Sequence, residues 1–190
     1  MYLNIILLDN YNNFGDMLMP FILNYFNIKT NNLLSDYNNV DLYGIGSIAH
    51  IIPESFKGYI WSTGFIYPNI KLNCINTPFA IRGKLSLDQI ICKNKHNIIL
   101  GDGGLILEKI YKPLIQKKYK LGVIPHYIDL IYKHNEPFDT FNIFKSNDVL
   151  LIKSTNNVKD VIDMALSCDM IMTSSLHGII LCDTYNIYKL

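Results

Sequence analysis

The sequence predicts an α/β fold in which helices cover parallel β-sheets. Short apolar runs alternate along the chain with segments of helical periodicity, and this alternation is typical of βαβ units. The apolar fraction is 49% and the charged fraction is 17%, whereas charged residues make up about 25% of an ordinary soluble domain. With 190 residues, the chain is long enough for one or two such units and can bury a sizeable core.

The first half opens with a continuous apolar run at residues 2–8, which predicts a strand in a sheet that is covered on both faces. A helix is predicted over Asp16–Asn27, because its apolar residues recur close to i, i+3 and i+4 spacing. Pro20 lies in the first turns of this helix, where proline is tolerated. Strands are also predicted at 41–45, 58–62, 77–82 and 97–100, and a helix over 84–91.

The second half repeats the alternation after a basic cluster that is typical of a solvated linker. The cluster consists of Lys112, Lys117, Lys118 and Lys120. Strands are predicted at 120–125, 149–153 and 170–173, and helices over 126–134, 158–167 and 177–185. A doubly wound unit usually has about five or six strands, whereas about three are predicted after residue 119. The second sheet is therefore expected to be short, as in a truncated unit.

Composition and charge disfavour several classes of protein. A formal net charge of +1 gives no support to a nucleic-acid binder, which usually has a clear basic surplus. No apolar run reaches the roughly 18 to 20 residues of a membrane span, and the first residues lack the basic leader of a signal peptide. A cytoplasmic protein is therefore expected, with peripheral membrane association and homo-oligomerisation left open. The four cysteines form no Cys-x-x-Cys pair, so we expect free thiols and no metal site.

Two glycine-containing motifs of the first half follow predicted strands, and ligands bind beyond the carboxyl ends of parallel strands. In residues 12–16, Gly15 permits an unusual backbone angle and Asp16 can cap the next helix, although a purely structural turn has the same pattern. Residues 44–49 read Gly-Ile-Gly-Ser-Ile-Ala, a weak dinucleotide fingerprint that lacks an acidic residue about 20 positions later. A nicotinamide or flavin cofactor is disfavoured, and close approach to an anion or a sugar, or a simple turn, remains open.

Arg82 is the only arginine in the sequence, and it follows an apolar strand. Its planar guanidinium suits a carboxylate or a phosphate, and the alternative is a solvated arginine or a structural salt bridge. Residues 173–178 read Thr-Ser-Ser-Leu-His-Gly before a helix. Their hydroxyls can cap that helix, whose free N–H groups and dipole favour an anion, and His177 can exchange a proton with a bound group. The alternative is a capped helix with an incidental histidine, and the absence of a Gly-x-Ser-x-Gly elbow disfavours a serine hydrolase.

These motifs, in this order, resemble the polysaccharide pyruvyl transferase family over nearly the whole chain. The matching segments are 13–16, 44–47, 61–64, 82–83, 101–102, 124–127 and 174–178. The resemblance implies a glycosyltransferase B-like arrangement, in which two Rossmann-like domains with parallel sheets face each other across a cleft. Residues 1–115 would form the acceptor-side domain, and residues 120–190 would form a short donor-side domain.

The resemblance also implies phosphoenolpyruvate as donor and co-substrate, a glycan sugar as acceptor, and a pyruvate ketal as product, without a further cofactor. It makes His177 a general acid or a phosphate ligand and makes Arg82 the residue that holds the donor's carboxylate or phosphate. The residues expected to bind the donor are Ser174, Ser175, Gly178 and His126, and those expected to face the acceptor are Asn13, Gly15, Asp16, Gly46 and Ser47. Two alternatives stay open: a glycosyltransferase of the same fold that uses a nucleotide sugar, and a truncated, non-catalytic module that binds a glycan or an anion.

Overall fold

The computed structural model describes residues 1–7, 13–33, 36–126, 128–129, 146–153, 155 and 157–190. These residues form two compact units. The first unit contains the described residues of 1–7 and 15–103, and the second contains Asn13, Phe14 and the described residues from Gly104 onward. The helix predicted over 126–134 lies largely outside the described residues.

All described strands of the first unit run parallel. The strands are β1 Tyr2–Ile5, β2 Lys29–Asn32, β3 Leu42–Tyr43, β4 Tyr59–Thr63, β5 Leu72–Asn73, β6 Ala80–Ile81, β7 Ile90–Ile91 and β8 Ile99–Leu100. The main sheet has the order β2-β1-β3-β4-β6-β8, and β5 pairs with β7 in a separate ribbon. The helices are α1 Phe14–Tyr25 and α2 Lys84–Leu87, with short 3₁₀ turns at 49–51 and 95–97.

The helix α1 packs closely against the sheet of the first unit. Its residues Leu18, Met19 and Ile22 are almost completely buried, as the apolar periodicity of the segment predicts. Gly44 follows β3, and a Cβ at this position would collide with the Sδ of Met19. Burial, with a smaller effect of Tyr37, raises the pKa of Tyr43 to about 12, so its phenol stays neutral in the core beneath the sheet.

Each predicted strand of the first unit overlaps an observed strand, although four of the five are shorter than predicted, and residue 8 of the first lies outside the described residues. The helix at the amino end is confirmed over Asp16–Tyr25, but the helix predicted over 84–91 is wrong in its second half. Only Lys84–Leu87 is helical, and Ile90–Ile91 pairs with Leu72–Asn73 as a strand. Ile90 is 1% exposed, so burial of this side chain in the ribbon prevails over the local helical pattern. The polar edge strand β2 was also not predicted, because pairing with β1 determines it and its own sequence is Lys-Thr-Asn-Asn.

The second unit is a four-stranded parallel sheet with helices, as far as its described residues show. Its strands are β9 Tyr119–Ile124, β10 Val149–Leu151, β11 Cys168–Thr173 and β12 Tyr188–Lys189, in the order β10-β9-β11-β12. Its helices are α3 Leu107–Ile110, α4 Val158–Leu166 and α5 Leu176–Thr184. Three of the strands are confirmed predictions. The fourth, β12, was not predicted, and it pairs with Met170 and Ile171 of β11. The expected α/β class with parallel sheets is therefore confirmed.

The two compact units divide between Gly103 and Gly104, and hydrogen bonds on either side of this point agree with the division. The N–H of Gly103 donates to the Ser62 Oγ in the first unit. Thr184 Oγ1 donates to the carbonyl of Gly104 at 3.2 Å, and the Tyr185 hydroxyl donates to the carbonyl of Tyr111 at 2.5 Å. The segment between residues 104 and 115 thus packs with the second unit, and the domain limits 1–115 and 120–190 stay a prediction.

The four cysteines are free thiols, as predicted. Cys168 and Cys182 are buried, whereas Cys74 and Cys92 are half-buried. Burial, together with the neighbouring Cys92, raises the pKa of Cys74 to about 12, so this thiol is protonated at neutral pH. Within the described ranges, no helix combines the length and apolar character that crossing a membrane would require.

Candidate functional site

In each sheet, the first strand in the chain has later strands on both of its sides, so the strand order reverses next to it. In the first unit, β2 lies on one side of β1 and β3 lies on the other. In the second unit, β10 lies on one side of β9 and β11 lies on the other. Open parallel sheets bind ligands beyond the carboxyl ends of their strands at such a reversal, so each unit has one edge at which a site is expected.

The motifs of the first unit all lie at this carboxyl edge, because they follow parallel strands that are neighbours in the sheet. Asp16 follows β1, Ser47 follows β3, Gly64 follows β4, Arg82 follows β6 and Asp102 follows β8. Sequence analysis placed each motif after a strand. The strand order brings Arg82 into contact with Ser47, which is 35 positions away in sequence, and with Asp102, which is 20 positions away.

Arg82 is the centre of this edge. Its Nε donates to Asp102 Oδ2 at 3.0 Å, and its Nη1 donates to Ser47 Oγ at 2.8 Å. The side chains of Arg82 and Asp102 are 14% and 4% exposed. The Nη2 of Arg82 is also buried and makes no hydrogen bond to another described residue. The guanidinium is therefore fixed in orientation and keeps a buried donor with which it can bind a ligand oxygen.

Gly64 provides the space in which the Arg82 side chain lies. A Cβ at Gly64 would lie 3.4 Å from both the Cβ and the Cζ of Arg82, and 3.1 Å from Ser86 Oγ. The Arg82 N–H donates to the carbonyl of Thr63 at 2.9 Å, which continues the pairing of β6 with β4. Backbone pairing and the missing side chain of Gly64 together direct the guanidinium along the sheet edge.

Ser62 holds the turn that carries Asp102. Its φ of 68° lies in the left-handed region, which costs a non-glycine residue about 1–3 kcal/mol. Its hydroxyl donates to the carbonyl of Gly101 at 3.0 Å and accepts the N–H of Gly103. Ser62 is 1% exposed. Sequence reasoning missed both Ser62 and Asp102 as members of the site, although the matching segments 61–64 and 101–102 contain them.

Asp16 and Gly46 lie beside each other at the reversal between β1 and β3. Asp16 is buried in the first turn of α1, where the helix dipole stabilises a carboxylate. Gly46 has a φ of 130°, and a Cβ there would lie 3.5 Å from Asp16 Oδ1. Of the other expected acceptor residues, Asn13 immediately precedes α1 and Gly15 lies in its first turn.

The second unit joins the turns after β9 and β11 by hydrogen bonds. Ser174 Oγ accepts the N–H of His126 at 2.8 Å and donates to Asp129 Oδ2 at 2.7 Å. Thr173 Oγ1 donates to the carbonyl of Ile124 at 2.7 Å. The structure therefore brings together His126 and Ser174, which the sequence analysis both predicts to bind the donor.

Sequence reasoning missed Asp129, which is the partner of the Ser174 hydroxyl. Its carboxylate also accepts the N–H of His126 at 3.2 Å. The spacing His126-x-x-Asp129 is the only local signal for this contact. A serine hydroxyl has one donor, so Ser174 must exchange Asp129 for a ligand before it can donate to a bound anion.

The amino end of α5 contains the remaining candidates of the second unit. Ser175 is its N-cap and accepts the N–H of Gly178 at 3.4 Å. A Cβ at Gly178 would collide with Thr173 Oγ1, so close packing of helix on strand requires glycine at this position. His177 lies in the first turn and is 9% exposed.

The described residues include no group of three His, Cys, Asp or Glu side chains that could hold a metal ion. The polar groups that the structure brings together are a fixed guanidinium with its counter-ion in the first unit, and hydroxyls, a carboxylate and a helix amino end in the second.

Comparison with known proteins finds that the model of the family described as polysaccharide pyruvyl transferase matches residues 7–188. An uncharacterised protein of Acanthamoeba polyphaga mimivirus is 29% identical over 143 residues, which cover 72% of this chain and 47% of that protein. The chain thus spans about half the length of the curated relative that it matches. No solved structure matches the chain significantly.

Proposed function

The chain belongs to the polysaccharide pyruvyl transferase family, and on this premise we propose that it transfers pyruvyl from phosphoenolpyruvate to a glycan sugar. Two hydroxyls of one sugar would become bonded to the central carbon of the pyruvyl group, forming a ketal. The observation that carries the donor assignment is the buried Nη2 of Arg82, which has no partner among the described residues. An oxygen of an anionic ligand would satisfy this donor.

The reaction balances without a further cofactor. A proton adds to the methylene carbon of phosphoenolpyruvate, and the adjacent carbon gains cationic character. One sugar hydroxyl attacks this carbon, and the second hydroxyl then displaces phosphate. One hydroxyl proton ends on the new methyl group and the other leaves with phosphate, so the products are the ketal and inorganic phosphate.

Arg82 would bind the carboxylate or the phosphate of the donor through Nη2. Asp102 and Ser47 hold the other nitrogens, so the guanidinium needs no reorientation when the ligand arrives. Because Asp102 balances the charge of Arg82, the free N–H contributes direction and a hydrogen bond rather than an unopposed positive charge.

The acceptor sugar would lie at the same edge, against Asn13, Gly15, Asp16, Gly46 and Ser47. Ser47 Oγ accepts a hydrogen bond from Arg82, so its own proton remains available for a sugar oxygen. The Asp16 carboxylate can accept a bond from a sugar hydroxyl. A Cβ at Gly46 would lie 3.5 Å from Asp16 Oδ1, so glycine at this position adds no side chain next to the carboxylate.

The second unit would supply the proton and further donor contacts. His177 is proposed as the general acid or as a phosphate ligand. Ser174, Ser175, Gly178 and His126 would surround the donor anion at the amino end of α5, where helix N–H groups favour negative charge. Because Ser174 now donates to Asp129, ligand binding would release this contact.

Titration of the purified chain with phosphoenolpyruvate tests this proposal. Trp61 is the only tryptophan, and its ring packs against Gly103 beside Asp102, so its fluorescence reports on the first edge. At 100 times its dissociation constant, the ligand should stabilise the chain by about 2.7 kcal/mol in thermal unfolding. Arg82→Lys keeps the positive charge but loses the planar set of N–H donors, and we expect it to weaken both the fluorescence response and the thermal stabilisation. The exposed Lys84, two residues later, supplies the control Lys84→Ala.

Transfer itself is tested with His177→Ala, in which release of phosphate from phosphoenolpyruvate in the presence of glycan should be abolished. Full activity of that variant would contradict the role of His177. A response to a nucleoside diphosphate sugar but not to phosphoenolpyruvate would instead indicate a glycosyltransferase. No response to either ligand would indicate a non-catalytic module.

A further inference from the structure

A groove lies at the opposite edge of the first unit's sheet, at the amino ends of its strands. It has a volume of about 480 Å³ and is continuous with a second depression of about 340 Å³, since both are lined by Lys57, Gly58 and Tyr59. Both volumes fall within the range of about 300–1,000 Å³ that is typical of ligand pockets. We call the two together the aromatic groove, after the rings of Tyr37, Phe56, Tyr59 and Phe79 that line it.

Two of these rings form an exposed platform. Tyr59 is 56% exposed and Phe79 is 61% exposed. Their centroids are 5.8 Å apart, and their planes are inclined by 34°. The Phe79 N–H donates to the carbonyl of Ile60 at 3.0 Å, so neighbouring strands hold the two rings side by side. Large aromatic rings that a fold leaves side by side in water are typical of a binding surface.

Polar groups that form no hydrogen bond to another described side chain or backbone group line the same groove as the platform. The side chains of Asn38, Ser55 and Lys57 and the hydroxyl of Tyr59 line the groove, and none of them makes a hydrogen bond to the described residues that surround them. Asn76 is oriented by donating to the carbonyl of Lys57 at 2.5 Å. The groove thus combines flat apolar rings with amide, hydroxyl and ammonium groups that are open to a ligand.

We propose that the aromatic groove binds a neutral sugar unit of the glycan acceptor, away from the transfer site. This proposal rests on the proposed function, because the family reaction supplies the glycan. A pyranose ring has one apolar face of C–H groups, which stacks on an aromatic ring, and equatorial hydroxyls, which bond to amides and hydroxyls at its rim. The charges of Lys57 and Asp41 offset each other in the groove lining, which favours a neutral sugar over a phosphate-bearing ligand.

The groove would hold a polymeric acceptor while a more distant sugar reacts. The strand β4 runs from Tyr59 in the groove to Thr63 at the edge of Arg82, a rise of about 13 Å for four steps. A glycan of several sugars would be needed to contact both edges. Anchoring one part of the polymer raises the effective concentration of the rest at the transfer site.

Binding of the chain to an immobilised array of neutral oligosaccharides tests the proposal. The array would contain oligomers of glucose, galactose, mannose and N-acetylglucosamine. We expect Tyr59→Ala and Phe79→Ala each to weaken binding about tenfold, and Tyr59→Phe and Phe79→Tyr, which keep the rings, to bind nearly as wild type. Tyr188 is similarly exposed, at 66%, and lies in the second unit, so Tyr188→Ala is the control. Unchanged urea midpoints would show that the variants are folded.

Three results would overturn the proposal. The first is that wild type binds none of the oligosaccharides, and the second is that Tyr59→Ala and Phe79→Ala bind them as wild type does. The third is a concentration-dependent dimer in sedimentation that Tyr59→Ala dissociates, since the groove would then be an interface between copies. The Trp61 titration with phosphoenolpyruvate, run on the same proteins, separates the two proposals. If the wild-type chain bound the glycan but gave no Trp61 response to phosphoenolpyruvate, the proposed pyruvyl transfer would be contradicted and the glycan site would not.

Discussion

At the carboxyl edge of the first sheet the central group is the charged guanidinium of Arg82, whereas at the same edge of the second sheet it is the neutral hydroxyl of Ser174. Ser174 follows β11, next to the reversal of strand order in its sheet, whereas Arg82 follows β6, two strands beyond β3. The Arg82 side chain is largely buried and is held by residues from two other strand ends, Ser47 and Asp102. Ser174 is exposed and bridges the turns after β9 and β11. One topology thus supports a rigid, charged edge in one unit and a hydroxyl-based edge in the other.

This difference indicates how the two edges respond to change. A buried ion pair cannot lose one member without leaving an uncompensated charge. A hydroxyl at the surface can exchange its partner for water or for a ligand at little cost. The first edge is therefore expected to resist rearrangement, and the second is expected to rearrange when a ligand binds.

The largest effect is expected from Asp102→Ala, which leaves the buried Arg82 without its carboxylate. We expect the free energy of unfolding to fall by about 3–5 kcal/mol, measured by urea denaturation. The equivalent change at the second edge, Asp129→Ala, removes a carboxylate whose side-chain partner is a neutral hydroxyl and should cost about 1 kcal/mol.

An exposed ion pair supplies the control for this comparison. Lys120 and Asp148 lie 3.1 Å apart with side chains 76% and 56% exposed, so Lys120→Ala should change stability by less than about 1 kcal/mol. If Asp102→Ala cost no more than Lys120→Ala, the first edge would not depend on its ion pair.

A smaller effect is expected from Gly178→Ala in the second unit. The added Cβ would collide with Thr173 Oγ1, and overpacking of this kind costs about 1–3 kcal/mol. Gly83 has nothing within 4 Å of an added Cβ, and its φ of −171° suits any residue. Gly83→Ala is therefore the matched control, with no measurable loss in the same thermal or urea experiment.

A large loss in Gly83→Ala, or none in Gly178→Ala, would contradict the packing argument. The double variant Thr173→Ala with Gly178→Ala sharpens the test. Removal of Oγ1 relieves the collision, so the two changes together should cost less than the sum of the single losses.

Modest effects are expected from the two serines that define the edges. Ser47→Ala leaves the charged Nη1 of buried Arg82 without its acceptor and should cost about 1.5 kcal/mol. Ser174→Ala removes an exposed hydroxyl whose partners can turn to water, and the expected loss is below about 1 kcal/mol. A larger loss in Ser174→Ala than in Ser47→Ala, measured by urea denaturation, would reverse the comparison between the edges.

Much of the fold could be predicted from local patterns. The apolar run at the start of the chain predicts β1, and the helical spacing of apolar residues after it predicts α1. The same reasoning predicts β9, β11 and α5. The pattern failed where pairing with a distant strand determines the structure. Lys29–Asn32 forms a strand because it pairs with β1, and Ile90–Ile91 does so because it pairs with β5.

For the candidate site too, local sequence patterns do not reveal contacts between residues that are distant in the chain. Arg82, Ser47 and the segment 174–178 were found because they are unusual residues in turns. Asp102 became a candidate partner of Arg82 only when the strand order was known, since 20 residues separate the two in sequence. Asp129 was missed because a lone carboxylate near a histidine has no distinctive pattern.

The sequence by itself determined that this chain builds parallel α/β units, that it belongs to its family, and which turns carry unusual residues. These features follow from local periodicity and from motif order, which the chain carries in one dimension. Only the tertiary structure decided that Asp102 and Ser47 fix Arg82 while its Nη2 makes no hydrogen bond to another described residue. It also decided that the rings of Tyr59 and Phe79 lie side by side. Such contacts depend on strand order and burial, because they join residues that no local spacing relates.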